Sequence, residues 1–512
     1  MDYQLTINAI LRRAERFTPG REIVTRLPDR SFHRYTYADL ARRARRLGSA
    51  LTRLGLAPGS RVATLCWGHH QHVEVYFGAP IAGFVTHPVN PRLHPDDIAH
   101  ILTHAHDQVL IVDESLLGVY DQVRDRMPIE HVIVTGDAYE ALLATGADDW
   151  TPPDLDEHTT ALLTYTSGTT GRPKGVEVSH RAIALHTLSS ALPDWLGIAG
   201  ADCLMPVVPM YHALAWGWPY SAALLGAKLV LPGPLLDPVS LLEDIEGEQV
   251  TVTGGVPTVW ANMLRTLDAD PGRFDVSSLR AVLSGGSAAP PAMIEAYEKR
   301  HGVNLVHTWG MTEMIMGMIS RDPGKRAMQG LPMPFVEIRA RGEQGLVPWD
   351  GHTMGELEVR GAWVATEYVD APQTTAERWT DDGWMRTGDI VTIDDAGYVE
   401  IKDRAKDLIK SGGEWISTVT LENALLDHPA VAEAAVVAVP DPKWAERPLA
   451  IVVLRGGASA GPDDLRGFLA ERVPKWWLPE RFEMVGQLPK TAVGKISKAA
   501  LRETYAAGTG DA

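Results

Sequence analysis

Cysteine is nearly absent from these 512 residues: Cys66 and Cys203 are the two, far apart and in no CxxC spacing. That excludes a disulfide framework and a cysteine-rich metal site, and it fits a reducing, cytosolic compartment. Positive charge is also scarce. Lys+Arg number 48 against 65 Asp+Glu, a net charge of -17, and no long basic run or basic-aromatic stripe occurs, which argues against nucleic acid as a main partner. Any anionic ligand must then be held by local groups. No apolar stretch is long and charge-free enough to span a bilayer, and the opening "MDYQLTINAILRRAERFTPG" lacks the regions of a secretory signal. Histidines gather in "GHHQHVE" (His69, His70, His72) and "HAHD" (His104, His106), but no carboxylate or cysteine pattern completes a metal site, so both read as polar helix entries.

What is present is length enough for two or more domains. Apolar runs such as "RVATLCW" from Arg61, "DQVLIVD" from Asp107 and "HVIVTG" from His131 show no period-two alternation, as expected of strands buried on both faces. They alternate with amphipathic stretches like "YADLARRARRLGSALTRLG" from Tyr37, which predicts an α/β protein with largely parallel sheets. Near "DDAGYVEIKDRAKDLIKSGGEWIS", from Asp394, charges and turn residues crowd together and the pattern restarts. Helix-like "TVTLENALLDHP", strand-like "VAEAAVVAV" and "PLAIVVLR", and helix-like "PDDLRGFLAERV" follow. These predict a small α+β domain over 403–512 behind a large domain over 1–402.

The stretch "TYTSGTTGRPKGVEVSH", Thr164 to His180, crowds hydroxyls and glycines around Lys174. "ALLTYTS" predicts a strand end and "SHRAIALHTLSS" a helix start with Ser179 as N-cap. A strand followed by a Gly/Thr-rich loop can make a nest of N–H groups for phosphate oxygens; the bland alternative is a solvated hairpin. "PKTAVGKISK" from Pro489 offers Gly494 and Lys495, but Ile496 stands where Ser or Thr should follow and Pro489 where the first loop glycine belongs, so a P-loop NTPase is a poor reading.

"YTSGTTGRPKG" resembles the phosphate loop of the adenylate-forming superfamily, which includes acyl-CoA synthetases. "HTWGMTE" from His307, "GWMRTGD" from Gly383, "KDRAKDLIKSGGEWIS" from Lys402 and "PKTAVGKISK" match that family's other core motifs, in its order and over essentially the whole chain. The resemblance implies a large adenylate-forming domain of packed sheets and helices and a small mobile C-terminal domain. It implies that Thr166, Ser167, Gly168, Thr169, Thr170, Gly171 and Lys174 cradle the β- and γ-phosphates of ATP. Thr312 would meet the α-phosphate and Glu313 would bind Mg²⁺, which prefers oxygen ligands. Gly286, Ser287 and Ala288 with His307, Thr308, Trp309, Gly310 and Met311 would flank the adenine. Asp389 would take the ribose hydroxyls, and Arg404 would make a second ribose or phosphate contact.

By the same resemblance Lys495 bridges the substrate carboxylate and the α-phosphate, while Lys490 and Lys498 read as surface lysines. Asp403 is the hinge about which the small domain rotates. Gly412, Gly413, Glu414 and Trp415 would then line the path of the pantetheine arm of coenzyme A, the missing side chains leaving it room. The segments "VVPMYHALAWGWPYSAALLGAKLVLPG" from Val207 and "THPVNPRLHPDDIAHILTHAHDQVLIVD" from Thr86 are similar to medium- and long-chain fatty acyl-CoA synthetases. His212, Trp216, Gly217 and Val256 fall at the acyl pocket, with Trp216 as a gate. The expected reaction is ATP-dependent acyl-CoA synthesis with release of AMP and pyrophosphate. The alternatives are an acyl-AMP ligase passing its product to a carrier protein or an amine, and a catalytically silent binding module. A homodimer is expected from the same relatives.

Overall fold

The computed structural model describes residues 2–166, 172–412, 414–490 and 496–506. Each apolar run of the N-terminal half becomes a short strand: Arg61–Leu65, Val109–Val112 and His131–Val134 lie side by side in parallel, in a six-stranded sheet completed by Val85–Pro88, Thr160–Tyr165 and Gly175–Ser179. The run from Tyr37 becomes the helix Tyr37–Arg53. It is opened by a capping box between Thr36 and Asp39 and turns Leu40, Ala44, Leu47 and Leu51 inward while Arg42 and Arg53 face out. His69, one of the clustered histidines, caps the helix His70–Ile81 by accepting from the His72 N–H.

A nine-stranded sheet runs in the order Leu331–Pro332, Met318–Ile319, Leu305–Trp309, Ala281–Ser284, Val252–Gly255, Cys203–Pro206, Lys228–Leu231, Glu22–Arg26 and Phe32–Thr36. Its central strands are parallel, and helices such as Pro238–Glu248 and Pro257–Ala269 connect them. The expectation of a parallel α/β body is met. An antiparallel sheet follows, built from Val336–Gly342, Gly345–Leu346, Gly355–Gly361, Met385–Ile393 and Val399–Arg404. Its apolar side chains, Leu357, Val391 and Ile393 among them, join the same core as Ile7, Trp218 and Met318.

Beyond Arg404 the chain builds separately. Helices Thr418–Leu426 and Pro462–Ala470 pack with strands Val431–Asp441 and Ala445–Leu454 around Leu421, Val436, Ala450 and Leu469, much as the sequence pattern predicts. Among the described residues no apolar cluster crosses from one side of Arg404 to the other. The expected boundary at Asp403 falls inside the strand Val399–Arg404. No helix of the described residues is long and apolar enough to cross a membrane.

Candidate active site

Thr160–Tyr165 and Gly175–Ser179, the strands on either side of the Gly/Thr-rich stretch, pair antiparallel as a hairpin. Its neck is tied twice at Thr166, whose N–H donates to the Lys174 carbonyl at 3.0 Å and whose hydroxyl accepts from the Lys174 N–H at 3.1 Å. Ser179 caps the following helix, accepting from the Ala182 N–H. Ser167, Gly168, Thr169, Thr170 and Gly171 lie outside the described residues.

The Lys174 ammonium stands over the Tyr368 ring, 5.3 Å from its centre, and the Tyr368 hydroxyl donates to Glu313 Oε1 at 2.5 Å. Burial, with the Glu313 charge adding to it, pushes the Tyr368 pKa well up, so the phenol stays a donor. Backbone bonds seat this segment at both ends: Val369 N–H donates to the Gly175 carbonyl and Ala365 N–H to that of Glu313. Two stretches almost 140 residues apart, Lys174 and Glu313, are thereby joined through Tyr368. No motif contains Tyr368, and its aromatic character alone carries no signal. Glu313 is buried next to the Lys174 segment, and a carboxylate there suits Mg²⁺.

Parallel strands put their carboxyl ends on one edge of the sheet, where ligands of such folds bind. Here that edge carries Gly286, Ser287 and Ala288 after Ala281–Ser284, Val256 after Val252–Gly255, and Gly310, Met311, Thr312 and Glu313 after Leu305–Trp309. His307 and Thr308 lie on the last of these strands. His307 is buried against the Ala327 carbonyl, and burial lowers its pKa; Thr308 donates to the Met318 carbonyl. Trp309 is almost wholly enclosed, and its indole N–H donates to Asp389 Oδ2 at 3.1 Å. On the other oxygen of Asp389, Arg404 Nε makes an ion pair at 2.8 Å. The residues expected at the adenine and at the ribose therefore meet directly.

At the segment expected to line the acyl pocket the chain turns left-handed. Ala213, Leu214, Ala215 and Trp216 have φ of 43°, 55°, 49° and 54°, and Gly217 has 72°. Such backbone costs about 1–2 kcal/mol for each residue other than glycine. The turn, entered at half-buried His212, lays the Trp216 indole over Gly254 and Gly285, where an added Cβ would come within 2.7 Å and 3.1 Å of it. Val256 caps the helix Pro257–Ala269 beside it. His186, absent from the sequence reading, stands behind Gly217 and edge-on to Trp363; burial lowers its pKa to about 4, so it is a neutral imidazole.

Asp403, the expected hinge, is held by hydrogen-bond partners. Asp403 is buried, and its Oδ2 accepts from the Thr418 N–H and hydroxyl at 2.6 Å and 2.7 Å. Burial raises its pKa, with Lys498 opposing. Lys498 is not the surface lysine expected: it is largely enclosed, pairing with Glu422 at 2.8 Å and donating to Thr418. The buried carboxylates of Glu422 and Asp403 supply the charge that draws it in. Lys490 does lie at the surface, against Glu433. Gly412 has φ of 59°, but the room beside it is filled: the Trp444 indole would lie 2.7 Å from a Cβ there. Trp415 is half-buried under Lys410, and Glu414 opens the strand Glu414–Ile416. Gly413 and Lys495 lie outside the described residues.

The sequence matches the AMP-binding enzyme family over residues 11–369 and the AMP-binding enzyme C-terminal domain over residues 420–495. It is 44% identical to a long-chain-fatty-acid–CoA ligase of Thermus thermophilus, over 99% of this chain and 96% of that one. To a 3-methylmercaptopropionyl-CoA ligase of Ruegeria pomeroyi it is 41% identical, over 99% and 98%. Among solved structures it superimposes on an anthranilate CoA ligase in complex with anthranoyl-AMP with a TM-score of 0.90, at 27% identity over 98% of each chain.

Proposed function

The chain belongs to the AMP-binding enzyme family and is an acid–CoA ligase, and from that premise we propose that it activates a hydrophobic carboxylic acid, fatty or bulky and cyclic, through an acyl-adenylate. The observation that carries this reading is the joined site: Lys174, Tyr368 and Glu313 form one cluster and Trp309 and Asp389 another, with Thr312 between Trp309 and Glu313 in the sequence. ATP needs such a site, with cations and a metal ligand at the phosphates and an acceptor pair at the ribose.

In the first step a carboxylate oxygen of the acid attacks the α-phosphorus, and pyrophosphate leaves. Lys174 and the hairpin hold the β- and γ-phosphates, Thr312 donates to the α-phosphate, and Lys495 neutralises the two anions brought together. Positioning and charge neutralisation supply the rate. Mg²⁺ on Glu313 would screen the phosphate charge. In the second step the coenzyme A thiol attacks the acyl carbonyl, the thiol proton is lost and AMP leaves. The small domain, 403–512, rotates about Asp403 between the two steps, withdrawing Lys495 and presenting Gly412, Gly413, Glu414 and Trp415. Trp444, packed on Gly412, belongs to that surface.

The indoles of Trp216 and Trp218 and the neutral His186 favour an acid without an α-amine. Coenzyme A is favoured over a carrier protein because Met385–Ile393 and Val399–Arg404 are joined by a tight turn closed from Asp394 N–H to the Tyr398 carbonyl, with no insertion. Mass spectrometry of products from the protein with ATP, Mg²⁺ and a panel of fatty, aryl and polycyclic acids, with and without coenzyme A, tests this. Acyl-CoA that appears only with coenzyme A is the expected result; acyl-AMP that accumulates without becoming thioester would move the acceptor to a carrier or an amine.

A further inference from the structure

Arg378 ends the short helix Pro372–Arg378 and belongs to none of the motifs. Its guanidinium is half-buried and turned into the site. Nη2 lies 3.4 Å from the Thr387 carbonyl, and Nη1 stands 3.2 Å from where a side chain on Gly388 would begin, so it covers the residue next to Asp389. On its other side is Tyr368, which donates to Glu313. Burial opposes the charge, while hydrogen bonding to Tyr368 and the fields of Tyr368, Glu313 and Glu356 favour it.

The inward-turned arginines elsewhere have carboxylate partners. Arg43 pairs with Glu74 and Glu140, and Arg339 with Glu358 and Asp382. Among the described residues no carboxylate comes within ion-pairing distance of Arg378. Its surroundings hold it charged overall, and with no carboxylate paired to it the guanidinium fork is left for an anion from outside. The planar fork of a guanidinium suits phosphate oxygens two at a time.

We propose that Arg378 is a further binding residue for the polyphosphate of ATP and for the pyrophosphate released from it, set between Glu313 and Asp389. The assignment rests on the adenylate-forming reading. Because AMP lacks the β- and γ-phosphates, the two nucleotides separate this role from a structural one.

The test is titration calorimetry of the full chain and of Arg378→Gln with Mg²⁺ and, in turn, ATP, AMP and pyrophosphate. ATP and pyrophosphate should each bind about tenfold more weakly to the variant, with AMP within about twofold, as expected for loss of one charged hydrogen-bonding group. Arg378→Lys should recover part of the loss, and it reads the same contrast should the glutamine variant not fold. Equal weakening of ATP and AMP would make Arg378 a support for Tyr368 only, and unchanged affinities would remove the assignment. A wild-type chain that binds neither nucleotide would overturn the adenylate reading itself.

Discussion

Tyr368 serves two motif residues at once: its hydroxyl fixes one oxygen of Glu313 and its ring face carries the Lys174 charge. Tyr368→Phe keeps the ring and removes the hydroxyl, so it should leave the hairpin in place while loosening Glu313. The expected outcome is a several-fold rise in the Mg²⁺ concentration needed for ATP binding, read by calorimetry, with AMP binding little changed; an unmoved Mg²⁺ requirement would refute the coupling. Lys495 makes a sharper division. Lys495→Ala should abolish acyl-adenylate formation yet spare thioester formation from supplied acyl-adenylate, and equal loss of both half-reactions would contradict that division. The motif residues were legible because a loop that holds phosphate needs donors close together in sequence. Tyr368, Arg378 and Trp444 were not legible, since each acts through partners that only the fold brings near. Lys498 misled for the same reason: its carboxylates, Glu422 and Asp403, lie far back along the chain.

At the scale of elements, strands and helices followed the sequence periodicity closely, down to Ser179 as a cap. The left-handed turn over Ala213–Gly217 did not. No glycine marks its first four residues, and burial of Ala213, Leu214, Ala215 and Trp216 imposes what local preference resists. The strain has a measurable counterpart. Ala→Gly in a helix costs up to about 1 kcal/mol, as expected for Ala222 in Trp218–Leu225, whereas at Ala215 relief of the left-handed strain should offset the lost methyl. Urea denaturation should therefore show Ala215→Gly close to wild type and Ala222→Gly less stable; equal losses at the two sites would mean the turn stores no strain.

At the scale of the molecule, several histidines are enclosed as neutral rings. Burial lowers the pKa of His70 to about 2, of His72 to about 3, and of His180 and His186 to about 4. Below the ordinary histidine pKa, about 6.5, the unfolded chain takes up protons that the folded one refuses, so their contribution to stability is whole above that pH and is lost as pH falls toward 4. Asp244, raised to about 7 by burial, is protonated in the fold over the same range and offsets one histidine. Stability should still fall steeply from pH 6.5 to 5, measured as the urea midpoint, and His180→Gln should flatten the slope; a flat wild-type profile would disprove the neutral burial.

One carboxylate holds the last strand before the small body. Asp389 pairs with Arg404, next to the expected hinge at Asp403, while Ala405 N–H donates to the Gly388 carbonyl beside it. A nucleotide whose ribose uses Asp389 enters into that grip. Thermodynamic reciprocity then fixes the outcome: whatever factor the nucleotide applies to the Arg404–Asp389 contact, the contact applies to the nucleotide's affinity. On the proposed rotation, the orientation of the small body becomes an equilibrium that ATP, acyl-adenylate and AMP would each weight differently, and those weights would order the turnover sequence without any separate timing device.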